Sequence, residues 1–569
     1  MSFSTLLSTS KISTLLTSTA SRPIDIALLS LLTLVLLKYF TSTRSRICTT
    51  PLRGPPSSSV LYGVARAIED APDPAVLYEE WERTYGGVYK APFTLGMHRL
   101  VLCDPRALAH MWARDTTGYG FQPGVSLLLE NIMGKGLFWA HGDTHKRQRK
   151  ALSPAFSHSA LRKLTHIFYD STYNVTRSWN AILDKSGADG SIIEVQRWMG
   201  TIALDSIGLG GFSHDFRATV GDPTVHTSES EVAKIFHALG EHPSKLYRLL
   251  MLLSYAIPWV MHLPVAQNRN SWRFNSAMGE VARGLFDKVK GGDGVEEKSA
   301  IGLLIKASEA EKAGSRLTEQ EVIDEMRTLL FAGYETSSIS LTWALIEVSK
   351  DQNTQRLLRE ELSHFYEGGA DPSYDELTNP TTLPTLDAVV HEVLRLHPPL
   401  PEVTRVALQD DVLPLSAPLT TASGHIVDTI TIAKGTLVTT SMQYLNRSEK
   451  FWGPDAKEFK PSRWLATRQD SPEGGDGGKW EPEYAAKELH GHRHLWSFND
   501  GPRMCLGKNF ALAEFKASLS VLIRNFAFEL RDPKNDAAIN SADNLVRPKI
   551  AGEARIDVPL RVRRVQGRE

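Results

Sequence analysis

The feature that most constrains this chain is a ten-residue segment, Phe498 to Gly507, with the sequence FNDGPRMCLG. It places one thiol, Cys505, just before a strongly helical stretch. The other cysteines are Cys48 and Cys103, and no two are spaced as Cys-x-x-Cys, which argues against zinc and iron–sulfur frameworks. A thiolate at a helix start is stabilised by the helix dipole and by neighbouring positive charge. The segment therefore predicts a single stabilised thiolate.

Four residues around this thiol suit a flat ligand that carries a carboxylate. Gly501 and Gly507 let the backbone approach such a ligand closely. Phe498 can keep water off the sulfur, and Arg503 can meet the carboxylate. A single thiolate on iron is the arrangement that favours O–O cleavage in a haem enzyme. The alternative is that Cys505 is a small buried hydrophobe, as a lone cysteine in a long chain usually is.

The joint pattern Phe-x-x-Gly-x-Arg-x-Cys-x-Gly resembles the haem-binding loop of the cytochrome P-450 family. The resemblance implies that Cys505 is the axial ligand of a haem b iron, and that Phe498, Gly501, Arg503 and Gly507 bind the haem. It covers about residues 60 to 560, because further motifs follow in the family's order. The overall sequence most resembles a fungal microsomal member of that family.

Bulk composition excludes several other classes. The chain has 569 residues and a formal net charge of −1, so it is long enough for one large domain and has no nucleic-acid signature. Three cysteines in so long a chain argue against a disulfide-stapled secreted protein. We therefore expect the sulfurs to face a reducing compartment.

The N-terminal part divides into a leader (1–23), a transmembrane anchor (24–40) and a Pro/Ser-rich linker (41–60), ahead of a haem-thiolate catalytic domain (61–569). The anchor is mostly apolar and long enough for roughly 25 Å of helix, close to the lower limit for spanning a bilayer. More Lys and Arg residues follow it than precede it, so the positive-inside rule places the body in the cytosol. A cleaved signal peptide is the alternative, but its short basic leader and small-x-small cleavage site are not clear here.

Two helices and two strand regions follow from periodicity. A stretch from Thr318 to about Lys350 opens with the capping-box pattern Thr318-x-x-Glu321 and predicts a helix that crosses the domain. A second helix is predicted over about 384–397. Short runs over 88–101 predict early strands, and residues 427–442 predict a hairpin around Lys434-Gly435.

The first of these helices contains AGYETS, with Gly333, Glu335 and Thr336. Gly inside a helix costs about 1 kcal/mol relative to Ala, so its presence invites a reason. A threonine hydroxyl can bond the carbonyl of an earlier turn, leaving a groove for a small ligand. The alternative is a core helix with one tolerated Gly. The motif resembles the family's oxygen-activation motif, which implies that Thr336 hydrogen-bonds iron-bound oxygen and Glu335 feeds protons to it.

Glu392 and Arg395 lie three residues apart on one face of the second helix. As an isolated pair they would form a solvated contact worth under roughly 1 kcal/mol. Flanking valines favour partial burial, and a buried pair needs a further partner such as Arg463. The set resembles the family's Glu-x-x-Arg motif and its later Pro-x-Arg partner, which implies a structural role in support of the haem loop.

The segment GDTHKRQRK resembles the family's Trp-x-x-x-Arg helix, whose residues meet a haem propionate. This implies that Arg149 turns inward, with His145 standing where Trp is common and still able to donate a hydrogen bond. Arg405 is a further propionate candidate. We expect an outward-facing basic patch for an acidic electron donor, formed by Lys146, Arg147, Lys150 and Lys508.

An alternating trio, His490, His492 and His494, could aim three ligands at a metal from a strand. No further ligand motif accompanies it. We therefore expect the histidines to belong to the loop that leads to Phe498 rather than to a second metal site.

The resemblance implies a mainly α fold with small β-sheets, preceded by one N-terminal transmembrane helix, in the endoplasmic reticulum membrane. It implies a monooxygenase that uses O2 and electrons from NADPH, delivered by NADPH-cytochrome P-450 reductase. The pocket is expected near 117–138, Ala332 and 400–404, for a lipophilic substrate such as a terpenoid, sterol, fatty acid or aromatic. The alternatives are an O2-independent haem-thiolate isomerase or dehydratase, and a non-catalytic haem sensor or electron carrier.

Overall fold

The computed structural model describes residues 49–186, 189–218, 244–254, 257–290, 300–308, 316–366, 370–465, 484–541, 545–553 and 555–565, together with Ser30 and Thr33. The leader at 1–23, almost all of the predicted anchor at 24–40 and the first part of the linker lie outside the described residues. Among the helices of the described part, none combines the length and the apolar character needed to cross a membrane.

Helices dominate the described residues. Their bounds are α1 Ala65–Asp70, α2 Pro74–Tyr85, α3 Pro105–Ala113, α4 Pro123–Met133, α5 Gly142–Leu152, α6 His158–Ser186, α7 Val195–Phe212, α8 Lys245–Ser254, α9 Ala266–Lys290, α10 Ala300–Ser308, α11 Glu319–Lys350, α12 Gln352–Tyr366, α13 Tyr374–Thr378, α14 Pro384–Leu396, α15 Met442–Arg447, α16 Glu449–Trp452 and α17 Lys508–Asn525.

The strands are short and form small sheets. Their bounds are β1 Val88–Pro92, β2 His98–Leu102, β3 Tyr119–Gly120, β4 Ser191–Glu194, β5 Glu402–Ala407, β6 Asp411–Thr420, β7 Ile426–Ile432, β8 Leu437–Ser441, β9 Phe526–Leu530, β10 Ala538–Asn540, β11 Pro548–Ile550 and β12 Pro559–Arg564. One sheet has the order β1-β2-β8-β5-β3 and another the order β4-β12-β9, while β6 pairs with β7 and β10 with β11. The expected fold class, mainly α with small sheets, is confirmed.

Helix α11 is the central, mostly buried helix of the fold. Its predicted capping box is confirmed: the Thr318 hydroxyl accepts the N–H of Glu321, and the Glu321 carboxylate accepts the N–H of Thr318. This arrangement satisfies two backbone donors that a helix start otherwise leaves open. The helix packs against α7, α9 and α17, and most of its residues are buried. It therefore carries its central residues into the interior.

The predicted early strands are confirmed as the antiparallel pair β1 and β2. The predicted hairpin around Lys434-Gly435 is wrong. Strands β7 and β8 do flank this turn, where Gly435 has a φ of +88°. However, β7 pairs with β6, whereas β8 lies between β2 and β5 with all of its residues buried. The turn reverses the chain, but burial of β8 places it in a different sheet.

Candidate active site

The loop that precedes α17 holds Cys505. The Cys505 N–H donates to the Phe498 carbonyl over 2.8 Å, and the Met504 N–H donates to the Gly501 carbonyl over 3.1 Å. These bonds close a tight turn that sets the sulfur at the start of α17. Burial raises the pKa of the Cys505 thiol, and the Gly507 N–H and the positive charges of Arg149 and Lys508 act against that rise.

Although protein atoms surround the Cys505 sulfur, its side chain retains exposed surface. A similar exposed spot occurs at Ala332 of α11, within a helix whose other central residues are mostly buried. Exposed atoms on a central helix indicate space inside the fold. A flat group placed in such space would cover surface that is otherwise open.

The two glycines of the loop have different roles. Gly501 has a φ of +61°, and a Cβ there would lie 2.3 Å from the Trp112 carbonyl, so glycine is required for contact with α3. Gly507 has an ordinary φ, and a Cβ there would meet only Phe156, at 3.8 Å. Of the two glycines, only Gly507 therefore leaves open space beside the sulfur. Gly501 contacts helix α3 and does not provide the close approach to a ligand that we expected.

A buried carboxylate, Asp115, joins two of the predicted haem-binding arginines. Arg405 donates to it through Nε over 3.0 Å and through a terminal nitrogen over 3.1 Å. Arg503 Nε lies 3.4 Å from the same carboxylate. Asp115 follows the end of α3 with no spacing signal, so sequence reasoning missed it.

Arg503 is also fixed by backbone carbonyls, since it donates to Phe138 over 3.0 Å and to Ala140 over 2.6 Å. Burial and nearby Arg405 lower the pKa of Arg503 to about 10, against the opposing effect of Asp115. The guanidinium stays charged at neutral pH. Two cations thus share one carboxylate, leaving net positive charge at this end of the site.

Trp112 of α3 borders the same charged region. Its ring centre lies 5.7 Å from the Arg405 guanidinium carbon. The side chain is fully buried, and its indole N–H has no hydrogen-bond partner among the described residues. A buried unpaired donor beside Arg405 fits a ligand with carboxylates.

His145 and Arg149 lie on α5. His145 is buried, and burial together with Arg503 and Arg149 lowers its pKa to about 4, so the imidazole is neutral at pH 7. Arg149 is half-buried; burial lowers its pKa, and the charge of the Cys505 thiolate opposes this. The expected inward orientation of Arg149 agrees with this half-burial.

The expectation that Arg147 faces outward is wrong. It is half-buried and forms two hydrogen bonds with Glu321 at the start of α11, one of them over 3.1 Å. The two charges attract each other across the helix junction, so Arg147 ties α5 to α11. Lys146 and Lys150 on the same helix are exposed, as expected.

On α11, the Thr336 hydroxyl donates to the Ala332 carbonyl over 2.8 Å, as predicted. Glycine at position 333 allows α11 to pack closely against α7 and does not depend on a ligand groove, because a Cβ there would lie 2.9 Å from Ile207 of α7. Glu335 is buried and forms an ion pair with Arg547. Arg547 lies just before β11, far away in the chain, and no local sequence signal links it to Glu335.

The predicted set of Glu392, Arg395 and Arg463 is brought together. Arg395 donates two hydrogen bonds of 2.8 Å to Glu392, and both side chains are fully buried. Arg463 Nε lies 3.6 Å from Glu392, which also accepts the indole N–H of Trp464. Burial opposes the charge on Glu392, but Arg395 and its other donors outweigh this effect and lower its pKa.

The three loop histidines do not converge. His492 faces His391, with their Nε2 atoms 3.2 Å apart, whereas His494 bonds the Leu489 carbonyl and His490 is exposed. In the described part of the chain, no group of three or more His, Cys, Asp or Glu residues is placed to hold a metal ion.

A family model described as Cytochrome P450 matches residues 53–553. The chain belongs to the cytochrome P450 family. Cytochrome P450 monooxygenase claQ of Ampulloclitocybe clavipes is 47% identical over 529 residues, covering 91% of this chain and 94% of that protein. Cytochrome P450 monooxygenase 205 of Postia placenta is 31% identical over 524 residues, covering 89% and 92%.

The cytochrome P450 fold is also found by structural comparison. The crystal structure of the cytochrome P450DA heme domain aligns with a TM-score of 0.67 at 20% identity, over 91% of this chain and 99% of that one. Relatives in the family are named monooxygenases, so the protein is a P450 oxidoreductase. The family implies a haem-thiolate iron cofactor. The open space beside Gly507, the exposed thiol and the unpaired Trp112 N–H fit that group.

Proposed function

We propose that this P450 inserts one oxygen atom from O2 into a lipophilic small molecule, with electrons from NADPH delivered by a separate reductase. The balance is RH + O2 + 2e⁻ + 2H⁺ giving ROH + H2O. The observation that carries the proposal is the lone loop thiol, Cys505, in a fold whose central helix carries the acid–hydroxyl pair Glu335 and Thr336. The haem, when bound, supplies the oxidising chemistry.

The chain's own residues hold the cofactor in this proposal. Cys505 would provide the thiolate that holds the haem iron, and the start of α17 stabilises the charge of that thiolate. Arg405 and Arg503 would hold the haem propionates, and Asp115 orients both guanidiniums for that role. Neutral His145 donates a hydrogen bond at the same end, and Phe498, which is buried, shields the loop from water.

Proton handling falls to α11. Thr336 offers a hydroxyl whose bond to Ala332 can be exchanged for a bond to a guest molecule. Glu335 supplies a carboxyl group one residue away. A positioned acid that exchanges protons with solvent contributes to catalysis without leaving its helix.

Apolar side chains support a lipophilic substrate. Phe121 packs against Phe138, with ring centres 5.6 Å apart, and Phe138 keeps 40% of its surface exposed. Phe331 of α11 packs against the cluster that contains Phe121, while Leu400 is partly buried after α14. Binding pockets for small molecules are mostly apolar with a few polar groups, which accords with a terpenoid, sterol, fatty acid or aromatic substrate.

We place the enzyme at the endoplasmic reticulum membrane, anchored once by residues 24–40, with the catalytic domain cytosolic. An exposed apolar surface supports this: it comprises Val60, Leu61, Tyr62, Leu246, Leu249 and Trp259. The ion pair between Arg248 and Glu69 brings α8 next to α1, so both parts of this surface are neighbours. The exposed Lys146 and Lys150, with Lys508, offer the reductase a basic face.

The test is the reduced, carbon-monoxide-bound difference spectrum. We expect a red-shifted, thiolate-type Soret band in the wild type that is lost in Cys505→Ser. Cys103→Ala is the matched control, because Cys103 is buried directly after β2, outside the Cys505 loop, and its removal should leave the band in place. A histidine-type band in the wild type would overturn the proposal.

A second experiment separates the reaction classes. NADPH and oxygen consumption by the reconstituted enzyme and reductase supports the monooxygenase. Product formation without oxygen would instead identify an isomerase or dehydratase. Lys146→Glu combined with Lys150→Glu should slow reduction and weaken its dependence on salt; unchanged rates would exclude this docking face.

A further inference from the structure

The carboxylate of Glu335 is held by a residue from the other end of the chain. Arg547 Nε donates to one carboxylate oxygen over 3.1 Å, and a terminal guanidinium nitrogen donates to the other. The exposed fractions of the two side chains are only 14% for Arg547 and 4% for Glu335. A planar guanidinium matches a carboxylate through two parallel bonds, which a lysine cannot reproduce.

The backbone around Arg547 is fixed on two sides. Its N–H donates to the Ser541 hydroxyl over 3.0 Å, and its carbonyl accepts the Ser541 N–H over 2.8 Å. The neighbouring Val546 N–H donates to the Pro399 carbonyl over 3.1 Å, in the segment that leads to Leu400. Arg547 is thus presented to α11 from a braced position rather than from a free surface loop.

This geometry has a consequence for proton movement. A charged carboxylate accepts a bond on each oxygen, as observed here, and its negative charge strengthens both bonds to a guanidinium. Proton uptake by Glu335 removes this negative charge and therefore weakens both bonds to Arg547. Loss of the proton restores the charge-assisted pair.

We propose that Arg547 is a positioning residue that orients the Glu335 carboxylate and sets how readily it exchanges protons during the reaction on α11. The inference rests on the proposed monooxygenase function and deepens it. Arg547 touches neither Cys505 nor Thr336 in the described contacts. Its effect passes through Glu335.

The test compares Arg547→Gln, Arg547→Lys and Glu335→Gln with Lys549→Gln as the matched control. Lys549 lies two residues further along, on β11, so the control removes one positive charge from the neighbouring part of the chain. The haem-loaded enzymes are combined with reductase and NADPH without added substrate. We measure the peroxide-to-water ratio of oxygen reduction and the solvent isotope effect on oxygen consumption.

We expect Arg547→Gln to change the peroxide-to-water ratio by about tenfold, less than the 10²–10⁴ typical of losing a general acid. Arg547→Lys should lie between this variant and the wild type, and Lys549→Gln should match the wild type. The solvent isotope effect should change in Arg547→Gln and in Glu335→Gln alike. A double variant should add little, because the two residues act as one unit.

Backbone hydrogen exchange provides a readout that needs no turnover. Exchange over residues 545–551 should rise equally in Arg547→Gln and Glu335→Gln but not in Lys549→Gln. A rise in exchange with an unchanged isotope effect makes the ion pair a structural tie and overturns the inference. If the wild type reduces no oxygen at all, the proposed function fails, and the exchange result still reports whether the ion pair holds this segment.

Discussion

Two helix glutamates in this molecule are each held by an arginine, yet their surroundings differ. Glu392 and Arg395 lie on one helix and are both fully buried. Glu335 and Arg547 lie 212 residues apart, and part of the Arg547 side chain reaches solvent. Glu392 also accepts bonds from the Lys460 N–H and the Trp464 indole.

We interpret Glu392–Arg395 as a structural pair and Glu335–Arg547 as a pair that exchanges protons. Arg395 donates to the carbonyls of Asn446 and Ala456 as well as to Glu392, so its polar atoms are committed in the fold. A fully satisfied buried network rigidifies its region. In the Glu335 pair, by contrast, one guanidinium holds both carboxylate oxygens, and its hold weakens when the carboxylate takes up a proton. The number of donors and the burial of the arginine therefore separate the Glu392 pair from the Glu335 pair, for which we propose proton exchange.

The largest expected effect comes from Arg395→Ala. It leaves Glu392 buried without its main partner and should lower the free energy of unfolding by about 3–5 kcal/mol, with little haem-loaded protein. Because the pKa of Glu392 is depressed, the stability it contributes is present above the pKa of an ordinary glutamate and is lost as pH falls through the lower folded value.

Chemical denaturation and the haem-to-protein ratio check this expectation. Arg356→Ala is the control, because Arg356 and Glu360 form an exposed helix pair whose loss should cost under about 1 kcal/mol. Normal haem loading of Arg395→Ala would show that this pair does not support the haem loop. The contrast between the two pairs would then fail.

Glu514 is another buried glutamate, but its partner is a hydroxyl rather than an arginine, and Glu514→Gln tests the effect of this difference. Burial raises the pKa of Glu514 to about 8, against the effect of the Ser337 hydroxyl that donates to it over 2.6 Å. Because the pKa of Glu514 is raised in the folded protein, its contribution to stability is fully present below the pKa of the unfolded chain. This contribution is lost as pH rises through the pKa of the folded protein. From pH 6 to 9 the wild type should lose about 2 kcal/mol more than the variant. Parallel stability–pH curves would contradict this.

Asp115→Asn tests the arginine cluster that we propose holds the haem propionates. With the charge removed, Arg405 and Arg503 repel each other in the cofactor-free protein, at a cost of about 2 kcal/mol. The haem-loaded protein should lose less stability, because in the proposed arrangement the propionates would neutralise both arginines. Thermal unfolding of both forms is the measurement. An equal loss in both would separate Asp115 from the haem site.

The smallest expected effect is that of Glu335→Asp, which shortens the side chain by one methylene. The carboxylate then keeps one bond to Arg547 instead of two, a change of about 1 kcal/mol. The peroxide-to-water ratio should move in the direction of Arg547→Gln, by a smaller factor. A larger effect than that of Arg547→Gln would assign Glu335 a contact beyond this arginine.

The sequence anticipated the elements whose signals are local. The start of α11 was predictable because Thr318 and Glu321 satisfy each other's backbone N–H groups within one turn. The Glu392–Arg395 contact follows from the geometry of a single helix, and the Thr336–Ala332 bond spans one turn. The orientation of Arg147 was missed, because its partner Glu321 lies 174 residues away.

The sequence by itself determined the family, the long central helix and the thiol at the start of α17, because each depends on neighbours within about ten residues or on a spaced motif. Only the tertiary structure decided that β8 leaves its neighbour β7 for another sheet, that Asp115 joins Arg405 to Arg503, and that Arg547 reaches Glu335. The physical reason is that charge pairing and strand burial depend on which distant segments the packed core brings within a few ångströms, and no local pattern encodes that choice.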